Sequence, residues 1–304
     1  MHRRTFLSVL GTGLAVTAAG SPAAAAEAEQ YPPTITMPPG VQPDGIVMSG
    51  QSPHAFVSSR HDGAIYQADL QFGTVTPVRP GRFGQQARGL ALGRHGPLFV
   101  AGGTGHHMIE VLDYSTGELL ASYPRFHHRS DVNDVVAGTS AAYFIDAINP
   151  ELYRLQLGHD DPLPVAATRV PITGDLRYRW GTNANGITGT PDGSAFLVVQ
   201  AVTGNLYRVT TDGASTRVDL GGERIPGGDG LHLRYSTLYV AQSRTGTVTK
   251  IELNEAGTTG QVAAHITDPR FVAPTALTEH HNILYLTNGG RPFHPGTIEN
   301  IGLP

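Results

Sequence analysis

Short apolar runs separated by turn residues recur along the chain. From residue 44 onward, stretches rich in β-branched and aromatic residues alternate with clusters of glycine, asparagine, aspartate and proline. Such runs are typical of short strands, and no helical period of comparable length interrupts them. The pattern predicts an all-β protein.

The strand pattern repeats six times, and every copy begins in a similar way. The starting residues lie 44, 45, 52, 44 and 46 residues apart, and a turn and an apolar strand such as 55–58 or 238–241 follow each of them. Four short strands in about 40–45 residues is the spacing of a propeller blade. We therefore predict a six-bladed β-propeller with four-stranded antiparallel blades. The starting residues are Asp44, Arg88, Asn133, Asn185, Asp229 and Thr275.

The two ends of the chain are predicted to share the last blade. The sixth repeat has room for three strands before Pro304, while the strand-like segment 34–37 belongs to no repeat. We predict that this N-terminal segment pairs as the outer strand of the sixth blade, which would remove an open sheet edge. Residues 29–304 are accordingly expected to form a single domain.

The first 28 residues have the layout of an export signal. Arg3 and Arg4 precede an apolar run and a stretch of small residues. This resembles a twin-arginine signal, and an ordinary secretory signal is the alternative. We expect residues 1–28 to be removed and the mature protein to be secreted.

Composition excludes several partners and sites. The formal net charge is −4, or −6 without Arg3 and Arg4, and no other basic run occurs. We therefore expect no nucleic acid or membrane partner, but a monomer that acts on a small organic molecule. The chain has no cysteine, which excludes disulfides, zinc–thiolate sites and thiol nucleophiles. Sequence motifs of serine hydrolases, zinc proteases and phosphate-binding loops are absent as well.

The starting residues of the repeats are candidates for a metal site. The first strand of each propeller blade lines the central channel, so these residues should form a ring around the axis. Buried charge must be paired or coordinated, and oxygen ligands suit hard divalent cations. We predict one such cation, calcium as the first choice and magnesium, manganese or zinc as alternatives. Otherwise Asn-Gly and Asp-Gly are simply turn dipeptides. The predicted ligands are Asp44, Asn133, Asn185 and Asp229.

The same motifs resemble those of a known superfamily. Asp44-Gly-Ile, Asn133-Asp, Asn185-Gly-Ile and Asp229-Gly-Leu look like the senescence marker protein, gluconolactonase and luciferin-regenerating enzyme (SMP-30-like) superfamily of six-bladed propellers, in a secreted bacterial branch. The resemblance spans nearly all of residues 44–290. It implies that Asp44, Asn185 and Asp229 bind the metal and that Asn133 contacts metal or substrate. Asp44 departs from the usual glutamate and is one methylene shorter.

A channel metal would polarise a lactone carbonyl and lower the pKa of a bound water. Asp229 is then the candidate general base. Arg88 is the candidate to hold a substrate carboxylate or the developing oxyanion. The alternative for Arg88 is a salt bridge to Asp131 or Asp134.

Loops at the mouth of the channel supply candidate substrate-binding residues. First strands run away from this mouth, so the loops between second and third strands return to it, as do the blade-to-blade connections. Segment 174–180 lies in the longest repeat and is expected to cover the pocket. The candidates are Asn133, His61, His107, Arg125, Tyr178 and Trp180.

Three functions stay open at this point. The first is a metal-dependent hydrolase of a lactone or related cyclic ester. The second is a non-enzymatic binding or scaffold propeller with a structural ion. The third is a metal-assisted cyclase or isomerase of a secondary metabolite. An enzyme needs an open coordination position and a base, whereas a structural ion would be saturated by protein ligands.

Overall fold

A computed structural model describes residues 30–50, 52–94, 96–106, 108–158, 162–289 and 295–303. In these ranges 25 strands form six sheets. None of these described residues forms a helix long and apolar enough to cross a membrane. The expected export signal, residues 1–28, and the candidate His107 lie outside the described residues.

The six sheets are the blades of a β-propeller, which confirms the predicted fold. The first strand of each blade contacts the first strand of the next, and the sixth contacts the first. Blade one is β2 (Pro43–Met48), β3 (His54–Ser59), β4 (Ile65–Asp69) and β5 (Thr74–Arg79). Blade two is β6 (Leu90–Leu92), β7 (Pro97–Ala101), β8 (Ile109–Asp113) and β9 (Leu119–Tyr123). Blade three is β10 (Val132–Ala137), β11 (Ala141–Asp146), β12 (Glu151–Gln156) and β13 (Thr168–Pro171).

The second half of the ring follows the same plan. Blade four is β15 (Ala184–Gly189), β16 (Phe196–Gln200), β17 (Asn205–Val209) and β18 (Ala214–Arg217), with a short extra strand, β14 (Thr173–Gly174). Blade five is β19 (Gly228–Arg234), β20 (Thr237–Gln242), β21 (Thr247–Leu253) and β22 (Gly260–Thr267). Blade six is β23 (Pro274–His280), β24 (Ile283–Asn288), β25 (Thr297–Gly302) and β1 (Thr34–Thr36).

The N-terminal strand closes the ring as predicted. β1 pairs antiparallel with β25, with Thr34 opposite Glu299, and the Thr34 hydroxyl donates to the Glu299 carboxylate at 2.6 Å. Ile35 and Met37 are 2% and 1% exposed and pack into the core between blades six and one. The burial of these two side chains holds the closing strand in place.

Neighbouring blades are joined by packed apolar faces. Phe99 of blade two meets Phe144 of blade three edge-to-face, with ring centroids 6.3 Å apart. Between blades one and two, Arg79 makes a buried bidentate ion pair with Glu110, with nitrogen–oxygen distances of 2.7 and 2.9 Å. The core therefore lies between the blades and leaves the axis to polar side chains.

The long interval between the third and fourth repeats forms the fifth strand of blade four. β14 pairs in parallel with the outer strand β18, and the amide of the buried Leu176 donates a hydrogen bond to the Ser215 hydroxyl oxygen at 2.9 Å. Most of segment 174–180 is thus fixed along the side of blade four. The prediction of four strands holds for the other blades.

Shortening the buried side chain of the closing strand should destabilise the whole propeller. Ile35→Ala removes core volume and is expected to cost about 2–5 kcal/mol in the free energy of unfolding. Thr36→Ala changes an exposed position of the same strand and should change it by less than about 0.5 kcal/mol. Urea unfolding followed by far-UV circular dichroism measures both. Equal stability of the two variants would contradict the closing role of Ile35.

Candidate metal centre

The six starting residues come together at the axis on the first strands of the blades. In five of these strands one extra residue interrupts the register at the ring position, for example between Pro43 and Ile46 in β2 and between Gly228 and Leu231 in β19. Such β-bulges re-aim a side chain locally. We attribute the inward aim of the ring side chains to these bulges.

The glycine after the ring residue permits the close approach of neighbouring blades. A Cβ atom on Gly45 would collide with the carbonyl oxygen of Arg88, and one on Gly186 would collide with that of Asp229. Likewise, a Cβ atom on Gly230 would lie only 2.6 Å from the Cα of Ala276. These glycines lie in or beside strands and are required by packing rather than by a turn. The turn-dipeptide interpretation is therefore wrong for them.

Hydrogen bonds link the first strands around the ring. Thr275 donates to the carbonyl of Asp44 at 2.9 Å, and the amide of Gly89 donates to the carbonyl of Asn133 at 3.0 Å. The side-chain amides of Asn133 and Asn185 donate to the backbone carbonyls of the next blades, Asn185 at 3.1 Å and Gly228 at 3.2 Å. These bonds join four of the six junctions between first strands and hold the side chains there in position.

The four predicted ligands line one small cavity on the axis. Its volume is about 20 Å³, enough for one water-sized particle. The Nδ2 of Asn133 also donates to the Oδ1 of Asn185, while the buried Oδ1 of Asn133 has no hydrogen-bond partner among the described residues. A buried oxygen without a donor is an acceptor that a cation would satisfy. The oxygens of Asp44, Asn133, Asn185 and Asp229 therefore fit a hard divalent cation.

Burial disfavours the charged forms of the carboxyl groups in this region. Burial raises the pKa of Asp229 well above its ordinary value, Asp44 raises it further, and Arg88 and a hydrogen bond from Ser243 lower it. Burial likewise raises the pKa of Asp134 to about 7, against hydrogen bonds from the amides of Ile187 and Val135. Removing carboxylates from water raises their free energy in the charged form. A bound cation would oppose this effect.

Arg88 makes a salt bridge in the ring. Its guanidinium lies 3.3 Å from Asp131 and 3.7 Å from Asp44. Burial lowers the pKa of Arg88, but the surrounding carboxylates, including Asp229, outweigh it and raise the pKa. Asp134 instead accepts from the backbone amides of Ile187 and Val135, at 2.9 and 2.8 Å. Of the two partners considered for Arg88, Asp131 is the observed one.

A second, larger cavity opens above the ring at the predicted mouth. It has a volume of about 400 Å³, and both Asn185 and Asp229 reach it as well as the axial cavity. Trp180, at the end of segment 174–180, lies at its wall and is 97% exposed. The other side chains around it include Arg60, Arg88, Thr182, Val202, Ser243 and Arg244.

The remaining substrate-binding candidates lie elsewhere. Arg125 donates to the backbone carbonyls of Gly105 and Thr104, at 2.8 and 2.7 Å. The Tyr178 hydroxyl donates to the carbonyl of Asp146 at 2.5 Å. Both side chains hold loops together, and neither lines the mouth cavity. His61 is exposed and outside the described lining of that cavity.

Two other features bear on the choice of site. A cavity of about 520 Å³ lies at the opposite face, between blades two and three, but no ring residue reaches it. Within the described ranges, no three or more histidine, cysteine or acidic side chains group as a metal site. The ring has two carboxylates and two asparagine amides among its four oxygen donors. A site of this kind depends on mixed carboxylate and amide ligands, which are common for calcium.

Comparisons with solved structures place this geometry in a known fold. No family model matches the sequence, and no curated protein matches it either. A calcium-binding regucalcin from Agrobacterium tumefaciens superposes with a TM-score of 0.64 and 16% identity, covering 90% of this chain and 94% of its own. The chain has the fold of the superfamily that its motifs resemble. At such identities the likeness establishes the fold alone.

Two further structures extend the comparison. A luciferin-regenerating enzyme has a TM-score of 0.62 at 13% identity, over 88% of this chain and 94% of its own. A virginiamycin B lyase from Staphylococcus aureus, solved as a catalytically inactive histidine-to-alanine variant with quinupristin, has a TM-score of 0.61 at 13% identity. That match covers 86% of this chain and 82% of the lyase.

Sequence reasoning did not select Ser243, and it named Asp131 only as one of two alternative salt-bridge partners for Arg88. Ser243 follows the second strand of blade five and hydrogen-bonds Asp229, and Asp131 neutralises Arg88. Both stand just outside the repeated motif. A signal was available for Asp131, which comes two residues before Asn133 and so enters the channel beside it.

The metal-free protein should lose stability as pH rises. A carboxyl group with a raised pKa in the folded state keeps its proton where the unfolded chain releases it, so its stabilising contribution falls as the pH rises above about 4, and for Asp134, whose pKa is about 7, the fall extends to about pH 7. Asp229→Asn should flatten this fall, and Asp212→Asn, an exposed carboxyl whose pKa is lowered by Thr210, should not. Guanidinium unfolding in chelator across this range measures the slopes. Identical slopes in wild type and Asp229→Asn would refute the assignment.

Proposed function

We propose that this protein is a metal-dependent hydrolase of a lactone or related cyclic ester. The observation that supports the proposal best is the stacking of two cavities on one axis. Asn185 and Asp229 face both the ring cavity and the mouth cavity above it. A cation held by the ring would therefore keep one side toward a substrate, as a catalytic rather than a saturated site requires.

The residues of the ring divide the work of this reaction. Asp44, Asn185 and Asp229, together with the unpartnered Oδ1 of Asn133, would hold the cation. When bound, the cation would supply Lewis-acid polarisation of the carbonyl and acidify water. Asp229 also reaches the mouth cavity, so it would accept the proton of the attacking water there.

Arg88 would contribute little net positive charge at the reacting carbonyl. Its guanidinium already pairs with Asp131 and lies near Asp44, so it carries little uncompensated charge. Arg88 still reaches the mouth cavity, where it could donate a hydrogen bond to the developing oxyanion. We keep it in the catalytic site with this donor role.

The comparisons are compatible with both hydrolases and lyases of this fold. The regucalcin neighbour is described as calcium-binding, which supports calcium as the first choice of ion here. The lyase neighbour is inactive when one histidine becomes alanine. Among the described residues, no histidine lines the mouth cavity of this chain.

A scaffold propeller with a structural ion is the second candidate. Asn133 and Asn185 bond each other and the next blades around the ring, and such bonds would serve a purely structural ion equally well. The open side toward the mouth cavity favours the enzyme. We further propose that the mature protein, residues 29–304, is secreted, monomeric and without nucleic acid or membrane partners.

Metal removal and one substitution test the proposal together. Purified protein should contain about one divalent ion per chain by plasma mass spectrometry and should hydrolyse members of a lactone panel only before chelation. Asp229→Asn should lower kcat by about 100-fold or more, the contribution typical of a general base.

The control for this experiment is Asp212→Asn, which alters an exposed carboxyl in the hairpin of blade four. It should keep both metal and activity. Protein without metal would contradict the metal centre. Full activity in Asp229→Asn would contradict the role of Asp229 as the base, and bound metal without activity on any lactone would favour the scaffold.

A further inference from the structure

We propose that the mouth cavity selects substrates that carry a carboxylate on a planar ring, with Arg60 and Arg244 binding the carboxylate and Trp180 packing on the ring. The inference concerns recognition of the anion. It rests on the proposed function only where it specifies a lactone, because anion binding itself needs no turnover.

The first argument is an imbalance of charge in the cavity wall. Three guanidinium groups line it, those of Arg60, Arg88 and Arg244. Arg88 is neutralised by Asp131 at 3.3 Å and Asp44 at 3.7 Å. No described carboxylate lies within 4.0 Å of the side chains of Arg60 and Arg244, and neither side chain makes a hydrogen bond to a described residue. Arg60 acts on Asp131 only from beyond salt-bridge distance. Two cations thus face one cavity without a salt-bridge partner among the described residues.

The second argument is that the backbone holds both arginines at the mouth. The amide of Arg60 donates to the carbonyl of Gln42 at 2.9 Å, which fixes the start of the β3–β4 turn. The stem of Arg244 lies so close to Gly227 that a Cβ atom there would be 2.9 Å from the Cβ of Arg244. Gly227 has a φ of +70°, and its amide donates to the carbonyl of Ala201 at 3.1 Å. Arg244 is therefore directed along the cavity wall.

The third argument is the exposed tryptophan at the same cavity. Trp180 is 97% exposed, yet its backbone is fixed by the side chain of Asn183, which bonds the amide of Arg179 at 2.7 Å and the carbonyl of Gly181 at 2.9 Å. Val202, 39% exposed, adds apolar surface next to Gly181. An uncovered indole on a fixed backbone offers a face for a planar ligand.

These features together define the ligand class. Guanidinium groups recognise carboxylates through paired, charge-assisted hydrogen bonds. An aromatic face beside them favours an organic anion with a ring over a small inorganic anion. A lactone fused to an aromatic ring and bearing a carboxylate meets both demands, and its reacting carbonyl would lie toward Asp229 at the floor of the cavity.

The single tryptophan of the chain makes the test direct, because intrinsic tryptophan fluorescence reports on Trp180 alone. Phthalide-5-carboxylate and its neutral analogue phthalide-5-carboxamide are titrated into the metal-loaded protein. The carboxylate should bind about tenfold more tightly than the carboxamide, the difference expected for hydrogen bonds to a charged group. Equal affinities would overturn the proposal.

Variants then assign the preference to the two arginines. Arg60→Gln and Arg244→Gln should each weaken binding of the carboxylate several-fold and leave the carboxamide unchanged, and the double variant should bind the two equally. Arg217→Gln, an exposed arginine on the outer strand β18, should change neither. A preference that survives in the double variant would exclude Arg60 and Arg244 as the anion site.

Hydrolysis of the same two compounds separates this inference from the proposed function. If both are hydrolysed at equal kcat/KM, the enzyme stands and the carboxylate selectivity fails. If the carboxylate binds preferentially but neither compound nor any other lactone is hydrolysed, the anion site stands and the hydrolase fails. Selective hydrolysis of the carboxylate that is lost in the double variant supports both.

Discussion

The close approach of six first strands at one axis is the constraint on which the rest of the structure depends. Backbone from neighbouring blades meets where a side chain would not fit, so glycine follows the ring residue at Gly45, Gly89, Gly186 and Gly230. The bulges beside Gly45, Gly186 and Gly230 aim polar side chains into the axis, and bonds such as Thr275 to the carbonyl of Asp44 fix the spacing of the strands. A narrow channel lined with oxygen atoms results from packing before any ligand is considered.

That packing buries several carboxylates at the axis. Groups within the chain compensate part of their charge, and a bound cation would compensate the rest. Within the chain, Arg88 compensates Asp131 and part of Asp44, and backbone amides solvate Asp134. Asp229 and the Oδ1 of Asn133 are left buried without full compensation. A cation would supply the missing charge, and it would do so beneath the mouth cavity. The metal, the base and the substrate space are thus proposed to share one physical origin.

The repeat of the sequence was sufficient to predict the fold, the closing strand and the residues that meet at the axis, because these follow from period and topology. It was not sufficient to predict which partners the side chains choose. Arg125 and Tyr178 face the correct side of the propeller but bind loop carbonyls, and Arg88 bonds Asp131 rather than Asp134. The bulges and the fifth strand of blade four also escaped, since neither has a distinctive residue pattern.

The pairing of β1 with β25 joins residues that are 265 positions apart. Contacts at such a distance form late, because a long loop must close before they are gained. Until the last strand has been synthesised, the chain is an arc whose final blade lacks its outer strand. The ring, and with it the placement of Asp44 in one cavity with Asn133, Asn185 and Asp229, is completed only when β1 pairs with β25. The proposed ligand set, contributed by blades one, three, four and five, would therefore report on the completion of the whole fold.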